Sequence, residues 1–308
     1  MSSGWAEGRG PLRPMIRPVW IGGRRLPPIL VLAVAAIGAV LLAVVATTSW
    51  GTGSDELAYW RAAQRLTAGQ PLYDPGAVPN TPYAYWNPPP LAQLLGPLTG
   101  LLSPEAFTAI WTALLLGCLW WLGGRSVVVG LALVAFLPVA VELRTRNLHL
   151  VLAVLVVLAL RRSWLFWVPA TALKISPVLG GLYLLAAGRG REAIQVAVVG
   201  VAVLAVSVVL APGAWADFVA VVSGRAGSEG GALVAVPFWA RFTIGAILAA
   251  IGGRLGGRRG EVVLVVGLTV ANPTLWATAL SLLVAIVPLW RTAPREPDVA
   301  TAVAVSRG

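Results

Sequence analysis

Residues 29–48 read ILVLAVAAIGAVLLAVVATT, twenty residues without a charge or a proline, and this run decides the fold class. An α-helix rises about 1.5 Å per residue, so twenty apolar residues reach across the ~30 Å hydrocarbon core of a bilayer. Arg24, Arg25 and the pair Pro27-Pro28 precede the run. It is too long for a signal-peptide core and no small-residue cleavage site follows it, so it reads as a retained first span. The whole chain agrees with that reading. Hydrophobic residues make up 58% and charged residues 11%, against about a quarter charged in soluble domains, and the mean hydropathy is +0.82. The fold class expected is an all-α polytopic membrane protein.

A formal charge of +11 raises the question of nucleic acid, but the arginines stand in short clusters between apolar runs. That is the positive-inside pattern of membrane proteins, and no nucleic-acid partner is expected. One cysteine, Cys118, leaves no intramolecular disulfide, and one histidine, His149, is too few for a histidine-cluster metal site. No metal and no cofactor is expected. The glycines at 252–257 lack the Lys-Ser/Thr ending of a phosphate loop and read as a flexible cytoplasmic turn.

Placing the arginine clusters on the cytoplasmic side orders the spans. Residues 1–27 form a cytoplasmic tail, 29–48 cross outward, and 51–104 form a large external loop. Residues 107–122 return to Arg125, 127–141 exit, and 148–160 return to Arg161. Residues 193–210 and 238–251 flank a second external loop, 211–236, and 292–308 form a disordered tail. Two segments resist this scheme. Residues 164–187 and 261–290 each lie between arginine clusters on one side, and each is interrupted, at Lys174-Ile175-Ser176-Pro177 and at Asn272-Pro273. Proline lacks a backbone donor and disfavours helix in the residue before it, so both segments read as broken or re-entrant hairpins. Irregular backbone at membrane depth is tolerated only around a cavity or inside protein. The count is roughly seven full spans plus two such hairpins, within a transmembrane domain of residues 28–291.

Lys174 is the chain's one lysine and sits in the first of these breaks. An ionisable group at bilayer depth faces a cavity, a partner or a substrate, unless it snorkels from a helix end to the headgroups. In the first external loop, Asp55 and Glu56 open a short helix. There they serve either as dipole-favoured residues or as site carboxylates. Leu57, Tyr59, Trp60, Ala63 and Leu66 give that helix an apolar side suited to the membrane interface, and the run Tyr83 to Pro90 is dense in aromatics and prolines. His149 follows Arg144, Arg146 and Asn147 at an external helix end, either as an interfacial hydrogen-bonding residue or as a sugar or proton contact. Glu142 reads as a partner for one of the two arginines. A lysine that holds a phosphate beside a carboxylate that takes a proton from a hydroxyl suits glycosyl transfer from a polyprenyl phosphate sugar.

Asp55 with Tyr59, then Gly69, Leu72-Tyr73-Asp74, the Tyr85 to Pro90 run, Arg146-Asn147-Leu148, Lys174-Ile175-Ser176-Pro177 and Asn272-Pro273-Thr274-Leu275-Trp276 resemble, in their order, glycosyltransferase family 87. These are actinobacterial membrane enzymes of the GT-C type. The resemblance implies an inverting, metal-independent mannosyltransferase at the outer face of the plasma membrane, with arabinofuranose as the alternative sugar. It would use a polyprenyl phosphate sugar donor and a lipid-linked or polysaccharide acceptor, in contact with membrane lipid. It places Asp55 as general base and Lys174, with Arg144 and Arg146, at the donor phosphate. Glu56, Tyr59, Tyr85, Asn147, His149 and Asn272 are the further substrate contacts proposed with these. Two departures stand out. Thr145-Arg146-Asn147 replaces a Gly-Gln-x-Asn-like pattern, and Ala277-Thr278 occupies positions where many members carry histidines. Two other classes remain open, a lipid transporter or flippase and a noncatalytic lipid-binding relative.

Overall fold

A computed structural model describes residues 20–21, 24–48, 55–73, 84–225, 233, 236–273 and 275–291. The tails at 1–19 and 292–308, Ser54, Asp74, Tyr83 and Thr274 lie outside the described residues. Apart from a two-residue pairing of Trp20–Ile21 with Arg24–Arg25, the described regular structure is helical.

The first apolar run forms α1 (Pro28–Thr48), 21 residues or about 32 Å long. The short helix α2 (Asp55–Thr67) and α3 (Pro89–Leu95) precede α4 (Pro104–Leu122), whose first turn is capped by the Ser103 hydroxyl accepting from the Ala106 amide. Helices α5 (Val127–Val134) and α6 (Leu137–Thr145) take the place of the single crossing expected at 127–141. They meet at 92°, because Pro138 in the first turn of α6 cannot continue the α5 ladder. Helix α7 (His149–Arg161) runs through the centre, with Leu150, Leu152, Ala153 and Val156 fully buried.

Both expected breaks are present. Helix α8 (Trp167–Leu173) ends at Lys174, which is extended at φ −152°, and a 3₁₀ turn at Ser176–Val178 leads into α9 (Leu179–Ala186). After α10 (Gly190–Leu210) the chain enters α11 (Pro212–Arg225), a helix where a loop was expected, and then α12 (Phe238–Leu255). Helix α13 (Gly257–Val270) ends just before Asn272-Pro273. A 3₁₀ helix (Ala277–Ala285) and α14 (Ile286–Arg291) complete the second interrupted segment. The glycine turn is tighter than its composition suggested. Gly252 to Leu255 belong to α12, and α12 and α13 touch so closely that a Cβ on Gly260 would lie 2.1 Å from the Gly252 carbonyl oxygen.

Among the described residues four helices, α1, α4, α10 and α12, are long and apolar enough to cross a membrane, and the bent α5–α6 pair would make a fifth. Helices α1 and α10 expose Ile37, Val40, Val44, Val198, Val201 and Val206 along their length. Unbroken apolar surface of that extent is stable against lipid and not against water. Helix α2, expected to lie in the membrane interface, instead buries Tyr59, Trp60, Ala62 and Ala63 in the protein, where Trp60 packs on Phe107 of α4. That docking fixes the position of Asp55 at its first residue.

Candidate functional site

The site is organised by the junction between α6 and α7. Arg146 adopts the left-handed region at φ 53°, unusual for a residue with a Cβ, and so turns the chain sharply enough for α7 to start at His149. Two contacts hold it there. Its carbonyl accepts from the Trp111 indole at 2.9 Å, and its Nη1 meets Glu56 Oε1 at 2.8 Å. Glu142, one turn earlier, accepts the otherwise orphan amides of His149 and Leu150 on Oε1, at 2.5 and 3.3 Å. The carboxylate therefore caps α7 in place of pairing with Arg144 or Arg146.

From this junction two side chains point opposite ways along the sequence. Asn147 Nδ2 donates to Asp55 Oδ2 at 2.5 Å, while Asn147 Oδ1 accepts from the Tyr59 hydroxyl at 3.1 Å and from the Leu148 amide at 2.8 Å. With two donors on Oδ1, only one orientation of the amide serves, and it turns Nδ2 to the carboxylate. His149 Nδ1 lies 3.0 Å from Glu142 Oε2 and Nε2 lies 2.6 Å from Lys174 Nζ. Burial pushes the Asp55 carboxyl up to about 7. The Glu142 charge adds to the rise, while Lys174 and the Asn147 hydrogen bond oppose it.

Asp55, Tyr59, Asn147, His149 and Lys174 line a single cavity. Trp86, Phe218 of α11, Pro273, Trp276 and Thr278 form its other walls. Five of the ten residues proposed from sequence thus converge, and five do not. Glu56 is fully buried and Arg146 nearly so, and they back the site as an ion pair. Tyr85 supports Tyr59 edge-on and donates to the Pro88 carbonyl at 2.7 Å. Asn272 is fully buried behind Pro273, its side-chain amide unpaired among the described residues. Arg144 is exposed and outside the lining, so it does not stand beside Lys174. Among the described residues no group of three or more His, Cys, Asp or Glu is gathered to hold a metal ion.

Three contributors escaped the sequence reading. Phe218 lies in what reads as a loop. Glu142 reads as an arginine's partner but binds the start of α7 and His149, and a carboxylate inside an apolar stretch is itself a signal. Arg241 of α12 is 2% exposed and gathers the carbonyls of Val236, Asn272 and Pro273 at 2.9, 2.5 and 3.0 Å. It fixes the second break, and with it the Pro273–Trp276 wall; an arginine within an otherwise apolar span was the available clue.

A family model described as Glycosyltransferase family 87 matches residues 85–307. No curated protein and no solved structure matches the chain. The matched region contains Asn147, His149 and Lys174, whereas Asp55 and α2 precede it.

Proposed function

The chain belongs to glycosyltransferase family 87, a family of membrane glycosyltransferases, and on that premise we propose that it moves mannose from a polyprenyl phosphate donor to a lipid-linked or polysaccharide acceptor, with inversion. The observation that carries this reading is the meeting of Asp55 and Lys174 in one cavity, each held by a neighbour from the same junction. The donor is a phosphodiester and its leaving group a phosphate monoester, so negative charge develops on phosphate oxygen as the anomeric bond breaks. A buried ammonium beside that oxygen stabilises the charge where it forms. On the opposite face of the sugar, Asp55 Oδ1 accepts the proton of the acceptor hydroxyl as its oxygen bonds to the anomeric carbon. The electron pair of the broken bond leaves with the phosphate, and the proton passes from Asp55 to water. A carboxyl at about 7 suits this role, since a base of that strength is largely ionised just above neutrality yet still accepts a proton well.

Lys174 supplies the charge compensation for which other glycosyltransferases use a divalent cation, so the proposed transfer is metal-independent. Trp86 and Trp276, both partly exposed on the cavity, offer aromatic surface to sugar rings. With the arginine clusters on the cytoplasmic side, the cavity opens on the outer face of the plasma membrane. Roughly seven crossings follow if α7 and one of the interrupted segments cross in addition to α1, α4, α10, α12 and the bent α5–α6 pair.

The test is transfer of labelled mannose from polyprenyl phosphate mannose by purified protein in detergent, with Asp55→Asn and Lys174→Met in parallel. Transfer by the intact chain, with loss of about 10²- to 10⁴-fold in each variant, is the expected result. Full transfer by Asp55→Asn would remove Asp55 from the role of base. Donor binding that depends on Lys174 without turnover would point to a lipid-binding relative, and transfer from an arabinofuranose donor alone would replace the sugar.

A further inference from the structure

Glu142, His149 and Lys174 stand in a row, joined by two hydrogen bonds, and only the lysine end has a place in the transfer described above. The first two are 0% and 1% exposed, removed from bulk water. We propose that Glu142 is a positioning residue that acts through His149 to hold Lys174 as a cation, its remaining N–H bonds turned into the cavity.

Glu142 Oε1 already accepts two backbone amides, which favours the ionised carboxylate and leaves Oε2 facing the imidazole. An ionised carboxylate has no proton to give, so the proton between Oε2 and Nδ1 belongs to Nδ1. Nε2 of the neutral ring then presents a lone pair, and at 2.6 Å its partner, Lys174 Nζ, donates. An ammonium has three N–H bonds, and this leaves two for an anion in the cavity. The same heavy atoms permit two other arrangements of the same protons. In one, Glu142 carries a proton, Nε2 carries the ring proton and Lys174 is a neutral amine accepting from it; in the other, the ring is an imidazolium between the carboxylate and the neutral amine. Both put a proton on Nε2, so an unprotonated Nε2 reports that Lys174 is the cation.

The sequence makes this measurable, because the chain has one histidine and one lysine. Nitrogen-15 spectra of full-length protein in detergent micelles, labelled at histidine and lysine, contain one imidazole and one side-chain amino group. The expected result is a proton on Nδ1, an unprotonated Nε2 shifted by a strong hydrogen bond, and an ammonium-type Nζ. A proton on Nε2 beside an amine-type Nζ would overturn the proposal. Glu142→Gln extends the test. Its amide oxygen can still accept the two backbone amides, but its NH₂ now faces Nδ1 and draws the ring into the Nε2–H form, proton to proton with the lysine. The expected outcome is a flipped tautomer with a donor KM raised about 10- to 100-fold and an acceptor KM changed far less, since removing the Glu142 charge leaves the Asp55–Asn147 contact in place and favours the ionised base. A flipped ring with unchanged donor KM would leave Glu142 a helix cap and nothing more. The kinetic part rests on the proposed transfer and the spectra do not. An Nδ1–H ring in a protein inactive with polyprenyl phosphate mannose would sink the choice of donor while leaving the positioning intact.

Discussion

Replacing Asn147 by alanine tests the geometry on the base side of the cavity. The side chain makes three hydrogen bonds, one to the Asp55 carboxylate at 2.5 Å and two that it accepts, from Tyr59 and from the Leu148 amide. A bond to an ionised group contributes about 1.5–3 kcal/mol and a neutral one about 0.5–1.5, so the loss in stability is at most about 2.5–6 kcal/mol, less whatever water restores in the gap. The sharper consequence is on proton affinity. Asp55 sits at about 7 because burial and the Glu142 charge raise it, while Lys174 and the Asn147 bond hold it down. Removing that bond takes away a contact that favours the ionised form, so the value must rise. The base works only when ionised, so acceptor kcat/KM in the unaltered protein should climb with pH through about 7 and then level off. In Asn147→Ala the climb should move to higher pH, making the deficit larger at pH 6 than at pH 9. Initial rates across that range, with light scattering to confirm intact protein, read both effects. A rising limb that stays in place, or moves to lower pH, would mean that the titrating group is not Asp55.

Glu56→Ala strips a carboxylate from the buried Arg146 guanidinium and should cost about 3–5 kcal/mol, seen as a lower melting temperature in detergent, with partial recovery in Glu56→Ala/Arg146→Met. An unchanged melting temperature in the single variant would show that the ion pair does not hold α2. Arg241→Lys keeps the charge but cannot span carbonyls at three positions, so it should lower the melting temperature and raise the KM of donor or acceptor by loosening the wall formed by Pro273 and Trp276; wild-type values throughout would refute that role. Gly260→Ala should destabilise by about 1–3 kcal/mol, since its Cβ meets backbone. Gly200→Ala in α10, with nothing within 4 Å, should be neutral or stabilising by up to about 1 kcal/mol, and equal effects at the two positions would contradict the close α12–α13 contact.

What could be read from the sequence was whatever a local rule governs. The breaks at Pro177 and Asn272-Pro273 follow from a missing backbone donor, and α1 and α10 follow from uncharged length. The bend before Pro138 obeys the same rule, but the apolar run on either side of it is continuous and reads as one span. Lys174 stands out because a lysine is rare in apolar surroundings, whereas Asp55 reads equally as a helix-start residue and is singled out by the order of the motifs around it. Their neighbours do not stand out, for a reason of distance. Glu56 finds Arg146 90 residues away and Arg161 finds Glu261 100 residues away, and no local pattern says which of several charges will pair. Glu142 shows the complementary failure. Two arginines lie within four residues of it, yet its carboxylate takes the helix-start amides of α7, which have no partner within their own helix.

The separation between base and lysine is a property of neither residue's own helix. Asp55 begins α2, and Lys174 lies in the break after α8. Asn147 reaches back 92 residues to the first, and His149 forward 25 residues to the second. Both are carried by one short junction whose turn depends on Arg146 in a left-handed conformation, which costs about 1–2 kcal/mol for a residue with a Cβ and persists because Trp111 and Glu56 both hold it. The same Glu56 adjoins Asp55, so the contact that secures the junction also fixes the base. None of these groups belongs to α1 or α10, the helices that present most apolar surface outward. The lipid-facing helices bear on the site only through the elements they pack against, α1 through α6 and α10 through α8 and α11.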